Sequence, residues 1–365
     1  VLQALPDGCT ASVLEMIAPS DIADAICASE AEDIAVVYSG DTGFYSGAAP
    51  LARILEDRGI ELEILPGLSS VQMLAAALHQ RWQDWHLVSA HGRALDPVLE
   101  VCRGADTVFL TSGSQGPSLI CSQLSRAGLG QLEVVVGEYL GSSAECLHRM
   151  SCDEAAQTTF ASLNVLWVEA AHLFDPHVPG LPDDAFVRVD GVPMTKRIVR
   201  AAVLAQLQPS PSATVWDIGA GTGGMSIELA HACRAGRVWA VEGDEEACRA
   251  VRDNRARFCA WNLELVEGWA PDALEGLPTP DIVFIGGSKG TIDEIVEAAL
   301  AANPTVRIAA TAIALETLSA AVHALESRGM AARVMQVQVS ETRGASGLHL
   351  LFGQNPTFIV VGERS

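Results

Sequence analysis

A short apolar strand that breaks onto bare backbone limits this chain's fold more than any other stretch. Residues 215–218 read Val-Trp-Asp-Ile, a buried strand of a parallel sheet. Gly219-Ala220-Gly221-Thr222-Gly223-Gly224 follows at once, and residues 225–230 begin a helix. Glycine tolerates φ > 0 and lets a ligand lie against the main chain. The amides at the start of the following helix point at that position. A dinucleotide fold uses a similar turn, with a tighter Gly-x-Gly-x-x-Gly spacing, and a purely structural turn is the plainest alternative.

The next strands narrow the reading. Residues 237–241 form a strand that ends in Glu242, which a doubly wound sheet places beside the glycine turn, ready to accept two ribose hydroxyls. Residues 263–266 and 281–287 supply two more strands, the second running into Gly286-Gly287-Ser288-Lys289-Gly290. The acidic Asp217 stands two residues before Gly219. This series resembles the seven-stranded, Rossmann-like S-adenosylmethionine (SAM) methyltransferases. The resemblance implies SAM contacts at Thr195, Asp217, Gly219, Ala220, Gly221, Thr222, Gly223, Glu242 and Ala270.

A length of 365 residues suggests two domains, each with its own core. The formal net charge of −22 argues against a nucleic-acid partner, which needs a basic footprint. An anionic substrate would be repelled at long range and would need a local basic cluster. The only two lysines, Lys196 and Lys289, both fall in loops flanking the expected SAM site, although a bias toward arginine explains their scarcity equally well. No apolar run reaches the ~18 residues of a membrane span, and no signal peptide opens the chain. Nine scattered cysteines without a Cys-x-x-Cys pair fit a reducing cytoplasm. His172, Asp175 and His177 lie in a proline-rich stretch that rarely completes a metal clip, so no metal is expected.

In the first half, residues 33–38 read as a buried strand that runs into Ser39-Gly40-Asp41-Thr42-Gly43-Phe44-Tyr45-Ser46-Gly47. A second strand, residues 62–65, leads to Pro66-Gly67-Leu68-Ser69-Ser70, whose serines can cap the next helix. Both stretches resemble the signatures of the tetrapyrrole methylases, an α/β family that also uses SAM on an unrelated fold. The resemblance implies contacts to SAM at Gly40, Asp41, Thr42 and Ser69. That family's opening Val-Gly-x-Gly-x-Gly loop is absent, and the chain begins at Val1, so this module is expected to be truncated.

Residues 1–172 are therefore expected to be a tetrapyrrole-methylase-like domain, 173–184 a linker, and 185–365 the Rossmann-like SAM domain. Thr195 reads as a helix N-cap, with Lys196, Arg197 and Arg200 in the first turns. Cations there oppose the helix dipole unless an anion is present. The order of modules, with Val192-Pro193-Met194-Thr195-Lys196 before the second, resembles the bifunctional decarboxylating methyltransferases of cobalamin biosynthesis. The resemblance implies a precorrin or cobalt-precorrin substrate, methylation at ring carbons 5 and 15, and loss of carbon dioxide from the ring C acetate. A scaffold first module with a catalytic second module is the alternative. Lys196, Arg197, Lys289, Gly286 and Gly287 are expected to face the substrate, with His349 and Glu341 as acid candidates for decarboxylation. A homo-oligomer, dimer or tetramer, is expected.

Overall fold

The computed structural model describes residues 11–90, 95–111, 115–175, 178–345 and 348–363. Two helices open it, α1 (Pro19–Ala28) and α2 (Ala48–Asp57), which pack together through Ile22, Ala23, Leu51 and Leu55. Next comes α3 (Ser70–Leu78), where Ser69 and Gln72 bond reciprocally in a capping box. The elements β1 (His86–Ser89), α4 (Pro97–Val101), β2 (Thr107–Leu110), α5 (Pro117–Leu124), β3 (Glu133–Glu138), β4 (Cys146–Ser151), α6 (Cys152–Ala156) and β5 (Asn164–Val168) follow. They form a five-stranded sheet in the order β1-β2-β5-β3-β4, parallel only between β1 and β2.

The two strands expected at 33–38 and 62–65 do not form. Both segments run outside any ladder, and Ile34, Val37 and Leu65 are 44%, 58% and 68% exposed. A strand exists only through its neighbour's hydrogen bonds. The sheet ends at β1, and no described strand lies beyond it to receive these segments. The strand β4 went unread because its residues 146–151, Cys-Leu-His-Arg-Met-Ser, lack a period-two pattern.

The second half begins at α7 (Arg197–Leu207) and continues through β6 (Thr214–Ile218), α8 (Gly224–Ala232), β7 (Arg237–Glu242), α9 (Glu245–Arg257), β8 (Leu263–Glu267), β9 (Ile282–Ile285), α10 (Ile292–Ala302), β10 (Arg307–Ala312), α11 (Leu315–Glu326) and β11 (Ala331–Val337). A separate ribbon of β12 (Ser340–Ala345) and β13 (Leu348–Gly353) precedes β14 (Thr357–Glu363). The seven-stranded sheet runs β11-β14-β10-β9-β6-β7-β8. Its strands are parallel from β10 to β8, and β14 is antiparallel to both β10 and β11. Each face carries a core: Val215, Ile227, Val238 and Phe284 on one, Trp216, Ile218, Val283 and Val360 on the other. Chain order reverses between β6 and β9, and such a reversal opens a crevice at the strand ends.

The connecting stretch is docked rather than loose. The Glu228 carboxylate on α8 accepts the amides of Gly180 and Leu181 at 3.1 and 2.7 Å. Arg200 on α7, wholly buried, donates to Glu228 at 3.3 Å, to Asp183 at 2.7 Å, to the Thr195 carbonyl at 2.6 Å and to the Leu181 carbonyl. The expected Thr195 cap is not made. Lys196 occupies the N-cap position without a side-chain bond, and Asp183 accepts the Arg197 amide at 2.9 Å instead. The anion demanded by the cationic helix start is thus a carboxylate of the chain itself. Removing one member of a buried ion pair strands the other. The Arg200→Met variant should therefore lose about 3–5 kcal/mol in urea unfolding.

Candidate active site

The crevice between β6 and β9 is built from main chain. Gly219, Gly221 and Gly223 have φ of +68°, +57° and +82°, which any side chain would strain. A Cβ at Gly219 would sit 2.3 Å from the Gly287 carbonyl oxygen, so the two loops touch backbone to backbone. The Gly286 amide donates to Ile218 at 2.8 Å, locking that approach. The segment before α7 lies on the same turn: a Cβ at Gly221 would meet the Pro193 carbonyl at 3.2 Å.

Two carboxylates flank the turn. Glu242, at the tip of β7 and 7% exposed, accepts the Gly221 amide at 2.8 Å and the Gly243 and Asp244 amides at 2.9 Å each. Asp217 on β6 is fully buried, takes one hydrogen bond from Ser226, and leaves Oδ1 without a partner. Burial raises its pKa to about 7, opposed by the Ser226 bond and reinforced by the Glu242 charge. Thr222, also buried, has an unpartnered hydroxyl, while its carbonyl accepts from Asn254 at 2.8 Å. Ala220 donates its amide to Val241 at 3.1 Å.

On the far side of Glu242, Trp269 packs over Gly243, where a Cβ would overlap the indole at 2.1 Å. Lys289 lies over that indole, its Nζ 3.3 Å from the ring centroid, a cation–π contact. Ala270, next in the chain, accepts from Thr291 at 3.2 Å. Lys196 and Arg197 are exposed at the entrance to α7, beside the Pro193 contact. Glu341 and His349 are exposed on the β12–β13 ribbon, and no hydrogen bond or ion pair among the described residues ties either to the glycine turn. In the first half the two signature turns meet: a Cβ at Gly67 would lie 2.4 Å from the Gly40 carbonyl. Thr42 donates to the Leu65 carbonyl at 3.0 Å, Asp41 accepts the Gly43 amide at 2.7 Å, and Ser69 is spent on its cap.

The sequence reading missed Ser226, Asn254, Asp183 and Trp269. A signal existed for Glu228 and Ser226, two polar residues in an otherwise apolar helix start. Among the described residues no three metal-ligating side chains gather, and His177 lies outside them.

Backbone bared of side chains by glycine, a carboxylate at the second strand tip and orphaned buried polar atoms fit a ligand with a ribose and a charged tail, such as SAM. The fold and this crevice define a Rossmann-like methyltransferase joined to a second α/β module. Residues 184–360 match the precorrin methyltransferase domain, and residues 10–156 match the tetrapyrrole (corrin/porphyrin) methylases. The chain belongs to the precorrin methyltransferase family. A Sinorhizobium relative named precorrin-6Y C(5,15)-methyltransferase [decarboxylating] is 37% identical over 76% of this chain and 67% of its own length. A Mycobacterium tuberculosis relative of the same name is 29% identical over 94% of this chain and 86% of its own. A Sulfurisphaera tokodaii protein named "probable cobalt-precorrin-6B C(15)-methyltransferase (decarboxylating)" is 33% identical over 51% of this chain and 98% of its own. The crystal structure of precorrin-6y C5,15-methyltransferase from Geobacter metallireducens is 37% identical, covers 52% of this chain and 97% of its own, and has a TM-score of 0.49.

Asp217 carries a sign that can be measured. Between its ordinary 3.8 and about 7 the folded chain binds a proton that the unfolded chain has released, so this group's contribution to stability is lost as pH rises through that window. Asp217→Asn removes that slope. Its melting temperature relative to the wild type should rise as pH increases from 3.8 to about 7 and level off above that, and parallel curves would show that Asp217 titrates normally.

Proposed function

We propose that this protein is a SAM-dependent C-methyltransferase that methylates a precorrin, with or without cobalt, at ring carbons 5 and 15 and decarboxylates the ring C acetate. The observation that carries this reading is the pairing of two unlike methyltransferase modules, matched together by a relative 37% identical over 76% of the chain. Bound in the crevice, SAM supplies an electrophilic methyl group.

The chain's own part is to hold and orient. Glu242 would take the ribose, the main chain of Gly219, Ala220, Gly221, Thr222 and Gly223 the charged tail, and Thr195, Asp217 and Ala270 the flanks. In the first module Gly40, Asp41, Thr42 and Ser69 would serve the same ligand. The precorrin carbons are enamine-like and already nucleophilic, so alignment does most of the work, and positioning supplies up to ~7–11 kcal/mol. Lys196, Arg197 and Lys289 would grip the substrate's carboxylates, over the backbone of Gly286 and Gly287, a reading supported by the exposure of Lys196 and Arg197 at the start of α7. Glu341 and His349 would act only if the ribbon approaches the crevice. A division at 1–172, 173–184 and 185–365 is part of this reading, supported by the separation of the strands into two sheets.

The ribbon exposes Leu348, Leu350 and Leu351, which supports a homo-oligomer, dimer or tetramer. Light scattering on the full chain counts the subunits, and a monomer at micromolar concentration overturns that part. Among the described residues no helix is long and apolar enough to cross a membrane, and eight cysteines are free, as a reducing cytoplasm requires. Cell fractionation checks that placement.

Mass spectrometry of the corrin product tests the reaction. Two methyl groups gained and one carbon dioxide lost is the expected result; one methyl gained identifies the first module as a scaffold, the reading favoured by stand-alone relatives that match only the second half. Glu242→Ala should weaken SAM binding at least about tenfold by calorimetry, the loss expected for one charged hydrogen-bond acceptor. An unchanged affinity would remove Glu242 from the site.

A further inference from the structure

Where the two modules meet, four arginines line one cavity of about 460 Å³. Arg126 comes from the π-helical turn Ser125–Leu129 after α5, Arg237 from the start of β7, and Arg252 and Arg255 from α9. The sequence pattern of α9 predicts a solvated charged face, and Arg249 does pair with Glu245 at 3.4 Å in the i,i+4 manner. Arg252 and Arg255 instead turn into the seam.

The carboxylates facing the cavity are Asp96, Glu264 and Glu267. Asp96 is taken by Arg237 through two bonds of 2.6 Å, and Glu267 by Arg252. Arg126 and Arg255 have no carboxylate within ion-pair distance among the described residues, against the single remaining Glu264. Arg255 is the more telling of the two. Its Nε is buried with no hydrogen-bond partner, and among the described residues its guanidinium makes a single bond, a 3.4 Å contact to the Leu263 carbonyl. Its guanidinium lies under the first module, 3.2 Å from where a Cβ on Gly128 would be. Burial, with the charges of Arg252 and Arg237, pushes its pKa below the ordinary range, and Glu264 opposes this. A buried donor left unmade is costly, and a guanidinium fork matches carboxylate and phosphate oxygens.

We infer that this seam is a binding site for a small multivalent anion, held between Arg126 of the first module and Arg255, Arg252 and Arg237 of the second. None of the residues lining it belongs to the glycine turn, and its existence does not depend on the reaction proposed above. The shared ligand chemistry is two or more negative oxygens on a compact scaffold, from either a phosphorylated metabolite or a polycarboxylate.

The test is calorimetric titration of the full chain with inorganic phosphate and, separately, with citrate, each against chloride at matched ionic strength. One equivalent of either anion should bind, and both Arg126→Ala and Arg255→Gln should weaken it about tenfold or more. Binding of phosphate alone identifies a phosphorylated ligand, binding of citrate alone a polycarboxylate, and binding of both shows that charge alone selects. No binding above the chloride control overturns the site, as does wild-type affinity in Arg126→Ala. Arg126 is exposed, so its variant keeps the fold and decides the matter even if Arg255→Gln does not fold.

Discussion

The contact of Gly219 with Gly287 sets the geometry of the catalytic half. Two loops leave neighbouring parallel strands and approach until no side chain fits between them. That closeness keeps side chains out of the gap between the two loops, while Glu242, one strand over, takes the Gly221 amide at 2.8 Å. It also explains why positive φ recurs at Gly219, Gly221 and Gly223: the turn has to curl tightly enough to clear its neighbour.

A second constraint acts from below. Arg200, Glu228 and Asp183 form a buried charged cluster that reaches the Thr195 carbonyl, the Leu181 carbonyl and three backbone amides at once. Burying such charges is expensive, and it is tolerable only because each is paired and hydrogen-bonded. In return the stretch between the modules is fixed against α7 and α8.

Much of the second half was legible because parallel strands read as apolar runs and because glycine marks the turn. The strand boundaries of β6, β7 and β8 and the position of Glu242 follow from that pattern alone. The buried cluster was not legible, since nothing local tells Arg200 apart from its exposed neighbours; only Glu228, a carboxylate in an apolar helix, hints at it. The first half misled for a different reason. Residues 33–38 and 62–65 have the composition of buried strands, but pairing is a property of two segments, and here the second is missing from the sheet. Exposure of Ile34, Val37 and Leu65 is the physical record of that missing partner. The charge pattern of α9 misled too, because helical spacing cannot foretell which face another module will cover.

The placement of β14 bears on how the chain is made. It is the last described strand in chain order, yet it lies inside the sheet, bonded to β10 on one side and β11 on the other. While the chain emerges from the ribosome, β10 and β11 therefore wait with an open gap between them. The crevice strands β6 to β9 can assemble early, but this part of the sheet zips shut only once β14 has emerged, leaving an interval in which a chaperone has reason to attend.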